Sequence, residues 1–346
     1  MTSSSVWRED GVLFIAEAGV NHNGDAQTAI ALCDVARQAG ADAVKFQTFN
    51  AALLATASAE KASYQDRNAP AEGESQRDML KKLELTEAEF RAVRDHCAKI
   101  GIEFISTPFD EVSADFLNAL GVDRFKVSSG DLTHLDFLQH LARFGKPIII
   151  STGMATLAEV EDAVRAIEEA GNPPLSILHC VSNYPARPDQ ANLRAMNTLA
   201  AAFGRPVGWS DHTEGGVITL ASVAAGARII EKHFTLDRAM PGPDHAASLE
   251  PDELIELIAA VRAVESALGD GIKRPTVEEQ DTARVARRSL VAARDVGAGT
   301  RLGPDDVAAR RPGSGLAPKR KSEVLGRKAA RDIKEGELLS WEMLAP

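Results

Sequence analysis

Residues 12–47 decide the fold: VLFIAEA (12–18), DAQTAIALCDVARQAG (25–40) and DAVKFQ (42–47). The first and third runs are apolar, rich in Val, Ile and Phe, and bounded by turn or cap residues. They read as buried parallel strands. The segment between them reads as a helix, opened by an Asp25 cap and stopped at Gly40. The same unit recurs down the chain. Further strand-like runs are IEFISTPF (102–109), VDRFKVSS (122–129), KPIIIST (146–152), LSILHC (175–180), PVGWS (206–210) and ARIIEKHF (227–234). Helix-like stretches cover 86–101, 156–171 and 250–269, and Thr156 with Glu159 three residues on is a capping box. Eight strand–helix units over roughly 250 residues predict an α/β chain folded as a (β/α)8 barrel, residues 1–269. The competing doubly wound sheet has fewer strands and a GxGxxG turn after its first strand, and no such turn follows residue 18.

Two regions depart from the repeat. Residues 48–85 are too long for an ordinary βα loop, and their polar stretch SAEKASYQDRNAPAEGESQRDMLKKLEL (58–85) is partly helix-like. In a barrel such an insertion covers the active-site mouth or makes a solvated surface excursion. After Gly269 the composition changes. Residues 270–286 are charged and lack strand character, which predicts a linker. Residues 287–346 form a small β-rich module with an internal repeat: ARDVGAGTRLGPDDV (293–307) aligns with ARDIKEGELLSWEML (330–344), which predicts a compact pseudo-twofold unit.

Of 346 residues, 44% are hydrophobic and 26% charged, which excludes global disorder. The 39 Lys and Arg against 50 Asp and Glu leave a net charge of −11, which argues against a general nucleic-acid binder. Three scattered cysteines (Cys33, Cys97, Cys180) with no CxxC predict neither a disulfide framework nor a structural zinc site. The N-terminal MTSSSVWRED lacks a leader's pattern, and no apolar run approaches a membrane span, so the expectation is a cytoplasmic protein without membrane contact.

Barrel chemistry sits at the C-terminal ends of the strands. Read in order, those ends carry Glu17; Lys45 and Gln47; Thr107; Lys126, Ser128, Ser129 and Asp131; Ser151 and Thr152; Ser182 and Tyr184; Ser210, Asp211 and His212; and Glu231, Lys232 and His233. Lys45 and Lys126 lie inside apolar runs, where an unpaired ammonium is costly, so they point to a phosphate and carboxylate site with Thr107, Ser151 and Ser210 as hydroxyl donors. His212 and His233 end neighbouring strands. As a pair they suit an open divalent-metal site completed by oxygen ligands: Mn²⁺, Co²⁺ or Mg²⁺. Glu17 is either a general acid/base or a buried partner for a lysine. In the C-terminal module RRPGSG (310–315) presents an arginine on a Gly-rich turn.

Together IAEAGVNHNGD, AVKFQTF, FISTPFD, FKVSSGD, STGMAT, HCVSNYP, GWSDHT, EKHFT and PGPDH, followed by RRPGSG, closely resemble the sialic acid synthase family, in order and over nearly the whole chain. The resemblance implies a TIM barrel followed by an antifreeze-like (SAF) domain. It also implies condensation of phosphoenolpyruvate with an N-acylated mannosamine-type sugar, chiefly N-acetylmannosamine giving N-acetylneuraminate and phosphate. By position, Lys45, Thr107, Lys126, Ser129, Ser151, Ser182 and Ser210 correspond to phosphoenolpyruvate contacts. Gln47, Asn68, Asp131, Tyr184, Asp244 and Arg311 correspond to sugar contacts, His212 and His233 to ligands of a divalent metal, chiefly Mn²⁺, and Glu17 to the acid/base. Arg311 would come from the partner chain of a domain-swapped homodimer. Gly130-Asp131 stands where many N-acetylneuraminate-forming members have Gly-Glu, and Ser182 where some have Asn, so the sugar stays open. The alternatives are a legionaminic acid synthase acting on 2,4-diacetamido-2,4,6-trideoxymannose, a phosphoenolpyruvate aldol synthase for a phosphorylated sugar, and a non-catalytic carbohydrate- or ice-binding protein.

Overall fold

The computed structural model describes residues 11–71 and 73–346. The chain divides into two compact units at Gly269/Asp270. The first runs β1 (Leu13–Gly19), α1 (Ala26–Ala39), β2 (Ala43–Thr48), α2 (Ala51–Leu54), α3 (Ser63–Asn68), α4 (Gln76–Lys81), α5 (Glu87–Ile100), β3 (Glu103–Pro108), α6 (Glu111–Leu120), β4 (Phe125–Val127), α7 (Leu135–Ala142), β5 (Ile148–Ser151), α8 (Leu157–Ala170), β6 (Leu175–Cys180), α9 (Ala195–Phe203), β7 (Val207–Asp211), α10 (Val217–Ala224), β8 (Ile229–His233) and α11 (Pro251–Leu268). All eight strands are parallel neighbours in the order β3-β2-β1-β8-β7-β6-β5-β4, and β3 and β4 pack side by side to close the round. This is the TIM barrel, with helices following the strands as the sequence predicts.

Local signals set the helix ends. The Asp25 carboxylate accepts from the Thr28 N–H at 2.8 Å, and Gly40 closes α1 at φ 84°, a conformation that favours glycine. Thr156 and Glu159 cap α8 reciprocally. The insertion carries α2, α3 and α4. It is tied internally by the buried Lys61 ammonium, which donates to the Ala69 carbonyl at 3.1 Å and to Glu74 at 3.3 Å.

Strand alternation makes two buried surfaces. One parity faces the helices: Phe14, Val44, Phe46, Phe104, Ile150, Ile177, Trp209 and Ile230 belong to the large core. The other parity fills the barrel with a second cluster of Leu13, Ile15, Ala43, Ile105, Ile149, Leu178 and Ile229. At β7 the inward position is Gly208, where a Cβ would lie 2.2 Å from the Ile229 carbonyl oxygen and 2.7 Å from Leu178 Cδ2. Only glycine fits this packed ring.

The second unit contains α12 (Val277–Ala286), β9 (Ser289–Ala292), β10 (Val307–Arg310), α13 (Lys321–Val324), β11 (Lys328–Ala329) and β12 (Leu344–Ala345). Helix α12 occupies most of the predicted linker. Its Thr276–Glu279 capping box opens a ten-residue helix with no buried residue, so charge concealed its periodicity. The helix braces the arginine turn, because the Gly313 N–H donates to the Arg284 carbonyl at 2.7 Å. The repeated sequence is a true pseudo-twofold. Val296 and Ile333, equivalent in the two copies, exchange both backbone hydrogen bonds at 2.8 Å. Gly299 to Ala329 is matched by Gly336 to Ala292, and the Asp332 carboxylate on the Ala298 N–H by Asp295 on the Glu335 N–H.

Candidate functional site

The inward face of the barrel changes chemistry within one strand step. Two residues beyond the apolar ring, Ile15 leads to Glu17, Ala43 to Lys45, Ile105 to Thr107, Ile149 to Ser151, Leu178 to Cys180, Gly208 to Ser210 and Ile229 to Glu231. Lys126 on β4 joins them. All eight line one cavity of about 380 Å³ at the C-terminal ends of the strands. Gln47, Ser129, Ser182, Tyr184, His212 and His233 line it too. The period that packs the barrel therefore delivers the polar groups to its mouth.

Two lysines and two carboxylates meet at its floor. Lys45 Nζ lies 2.8 Å from Glu17 and 3.7 Å from Glu231, and donates to the Thr107 hydroxyl at 3.1 Å. Lys126 Nζ lies 3.6 Å from the same Glu231 oxygen and donates to the Val127 carbonyl at 3.0 Å. Glu231 accepts from Ser210 at 2.8 Å, and Glu17 from Gln47 at 3.3 Å. All four charged groups are buried. Burial, helped by Glu231, pushes the Glu17 carboxyl up to about 7 against the pull of Lys45. For Glu231, burial is outweighed by Lys126 and Lys45, which hold it below the ordinary carboxylate range. Burial lowers Lys126; for Lys45 the same desolvation is outweighed by Glu17 and Glu231, and its ammonium is raised. Near neutrality Glu17 thus exchanges a proton while Glu231 stays ionised. With Glu17 neutral, two ammoniums face one carboxylate, and the floor carries surplus positive charge.

Several groups here are unsatisfied. Glu231 Oε2, Ser151 Oγ and His233 Nδ1 are buried without a hydrogen-bond partner. A buried orphan carries a cost that a bound ligand removes. His212 and His233 have ring centroids 5.4 Å apart. His212 Nδ1 donates to the Val181 carbonyl at 2.8 Å, which leaves Nε2 for another partner; burial is outweighed by Cys180 and that carbonyl, so the His212 pKa is raised and a cation at Nε2 would have to displace a proton. Burial and the neighbouring His212 hold His233 well below its usual pKa, as a neutral imidazole. Among the described residues no group of three His, Cys, Asp or Glu forms a cage. The donors fit an open two-imidazole site that takes its other ligands from substrate and water oxygens.

The remaining expected residues lie elsewhere. Asp244 is off the main cavity but lines an adjoining chamber; it is buried and its carboxyl is pushed up to about 6 by that burial. Asn68 does not line the main cavity; its amide donates to the Pro243 carbonyl at 2.8 Å and fastens the insertion to the 241–245 loop. Asp131 sits in the short turn Ser129–Asp131, which aims Ser129 at the cavity and carries Asp131 off it. Arg311 belongs to the second unit and is exposed there. Two residues carry more than the sequence reading gave them: Glu231 stands among the strand ends there without a role, and Tyr64 is not singled out. Glu231 was visible in the alternation of EKH, which puts it on the face of His233 and opposite Lys232. Tyr64, one of the chain's two tyrosines, stacks on the other, Tyr184, at 4.7 Å, and Tyr184 in turn lies 4.0 Å from the His212 ring.

Residues 32–273 match the model of the NeuB family and residues 287–345 that of the SAF domain. The N,N'-diacetyllegionaminic acid synthase of Legionella pneumophila is 46% identical over 332 residues, 95% of this chain and 93% of the relative. The mouse N-acetylneuraminate-9-phosphate synthase is 34% identical over 331 residues, 95% of this chain and 91% of the relative. A crystal structure of N-acetylneuraminic acid synthetase from Leptospira borgpetersenii, in complex with citrate, superposes with a TM-score of 0.69 at 36% identity, covering 79% of this chain and 90% of that one.

Proposed function

The chain belongs to the NeuB family and ends in a SAF domain, and from that premise we propose that it condenses phosphoenolpyruvate with 2,4-diacetamido-2,4,6-trideoxymannose and water to give a legionaminic-type nonulosonic acid and phosphate. The sequence reading put N-acetylmannosamine first. The higher identity to a legionaminic acid synthase, 46% against 34% for a neuraminate-phosphate synthase, favours the diacetamido acceptor instead. The observation that carries the reaction is the floor of Lys45, Lys126, Glu17 and Glu231 beside His212 and His233 in one mouth.

Lys45 and Lys126 bind the carboxylate and phosphate of phosphoenolpyruvate, and Thr107, Ser129, Ser151, Ser182 and Ser210 supply hydroxyls. The orphaned Ser151 hydroxyl then gains an acceptor. Gln47, Tyr184 and Asp244 hold the sugar. His212 and His233 would hold a divalent cation, Mn²⁺ first with Mg²⁺ or Co²⁺ in its place, which would supply Lewis-acid polarisation of the sugar's aldehyde. The methylene carbon of phosphoenolpyruvate forms the new bond to the aldehyde carbon, water adds at the enol carbon, and the tetrahedral product loses phosphate. Glu17, poised near neutrality, moves the proton to or from that water or the nascent sugar hydroxyl. Lys45, 2.8 Å away, stabilises it whenever it is ionised.

The chain is further proposed to work as a domain-swapped homodimer, with Arg311 of one protomer completing the partner's site. Supporting this, exposed apolar residues stand at the mouth end of the barrel: Val112 (64% exposed), Met154 (75%) and Val217 (75%). Arg311 is exposed on a turn braced by α12. Phosphate release from phosphoenolpyruvate, with the two sugars in parallel and products identified by mass, tests the reaction. Release only with the diacetamido sugar, or faster with it, is expected; no release with either overturns the proposal.

A further inference from the structure

Beneath the insertion lies a second chamber of about 240 Å³. Gln47, Tyr64, Gln76 and Tyr184 line both it and the main cavity, whereas neither Lys45 nor Lys126 reaches it. It therefore opens from the acceptor side of the mouth. Its walls are of two kinds. Val20, Leu54, Leu80, Leu83 and Phe109 form a small apolar cluster, and the buried Met79 adds to that wall. The rest of its lining includes amides and an acid: Gln76 Nε2 donates to Gln65 Oε1 at 3.2 Å, and the buried Asp244 carboxyl accepts no side-chain hydrogen bond among the described residues.

This mixed lining selects among sugar substituents. A hydroxyl has no use for six apolar side chains, and a bare methyl makes no use of the second Gln76 N–H or of the Asp244 carboxyl. An acylamino group matches both walls, because it carries an N–H donor, a C=O acceptor and a terminal methyl. We propose that the chamber under the insertion is the pocket for a second acylamino substituent of the acceptor, with its methyl against Leu54, Met79 and Leu83 and its amide against Gln76 and Asp244. The inference rests on the acceptor reading above and extends it to the residues that enforce it. Tyr64 is the partition: stacked on Tyr184 between the two spaces, it makes the chamber depend on the seating of α3.

The barrel strands contribute little to this chamber, so specificity and chemistry are separable. A site built to pair an amide rejects an analogue that lacks it, because its own polar groups stay unpaired. The test measures kcat/KM for 2,4-diacetamido-2,4,6-trideoxymannose and for N-acetylmannosamine in wild type, Gln76→Ala and Gln76→Trp, with phosphoenolpyruvate affinity in parallel to report an intact barrel. Gln76→Ala lowers the diacetamido-to-monoacetamido ratio about tenfold, the loss of one buried hydrogen bond to an amide. Gln76→Trp fills the space and lowers the ratio further. Should Gln76→Trp lose phosphoenolpyruvate binding, Gln76→Ala alone decides. A wild type that prefers the diacetamido sugar, with a ratio neither variant moves, overturns the chamber and leaves the proposed reaction standing. A wild type active only on N-acetylmannosamine overturns the acceptor reading and the chamber with it.

Discussion

Two buried lysines on the outer and inner faces of the same barrel have opposite fates. Lys232 points outward from β8 and meets Asp211 at 3.2 Å. That carboxylate is fully engaged: the Thr213 N–H and hydroxyl donate to one oxygen at 2.8 Å, and Thr219 donates to the other at 2.5 Å. Lys45 points inward from β2, and its carboxylates keep unused capacity; Glu231 Oε2 has two ammoniums at 3.6–3.7 Å and no hydrogen bond. A closed ion pair holds strands to helices, whereas an open one awaits a ligand. Burial alone does not separate them, since Lys232 is 1% exposed and Lys45 3%. The state of the partner carboxylate does.

The comparison breaks most visibly at Glu17. Glu17→Gln keeps the fold and retains phosphoenolpyruvate binding, but turnover falls by about 10³-fold, the scale of a lost general acid/base; full activity in a phosphate-release assay would remove Glu17 from the chemistry. Lys232→Met should do the reverse. It strands Asp211 without its cation and costs about 3–5 kcal/mol in urea unfolding, while kcat per folded molecule holds; a loss of kcat without destabilisation would erase the distinction between the two lysines.

Protonation sharpens the contrast next. Glu17 is raised to about 7, so its neutral form prevails below that pH and its charge appears above it. Each added negative charge opposes an anion, so phosphoenolpyruvate affinity of the metal-free protein falls as pH rises past 7, by up to about tenfold per unit. Calorimetric titration of Glu17→Gln across the same range should show the fall abolished; an unchanged slope would assign the effect to another group.

The smallest effects concern hydroxyls. Ser151→Ala removes an orphaned hydroxyl, so thermal stability holds while phosphoenolpyruvate binds about tenfold more weakly. Thr219→Ala removes a satisfied one and costs about 1–2 kcal/mol with affinity unchanged. Exchange of these outcomes in a melting and binding series would contradict the closed-versus-open distinction.

Much of this was legible in the chain. The barrel shows in apolar runs of strand length separated by capped helices, and Asp25, Gly40, Thr156 and Glu159 act locally as their residue types dictate. The pseudo-twofold was readable because equivalent residues pair with each other. Strand alternation sorts Glu231 from Lys232, but a list of strand-end residues does not apply it, and Glu231 went unchosen. For Asp131 and Asn68 the sequence sets no direction: where a short turn or a helix in an insertion aims a side chain depends on packing that no period encodes. Helix α12 was hidden because it carries no buried residue, and burial is what periodicity reports.

The most direct measurement of the central claim is phosphate release from phosphoenolpyruvate with Mn²⁺ and the diacetamido sugar, before and after chelation, in wild type and in Lys126→Met. One phosphate per nonulosonic acid formed, lost on chelation, restored by Mn²⁺ and absent from a folded Lys126→Met, is the expected result. Phosphate release that persists in Lys126→Met and ignores chelation would contradict the assignment of chemistry to the open charges of the barrel mouth.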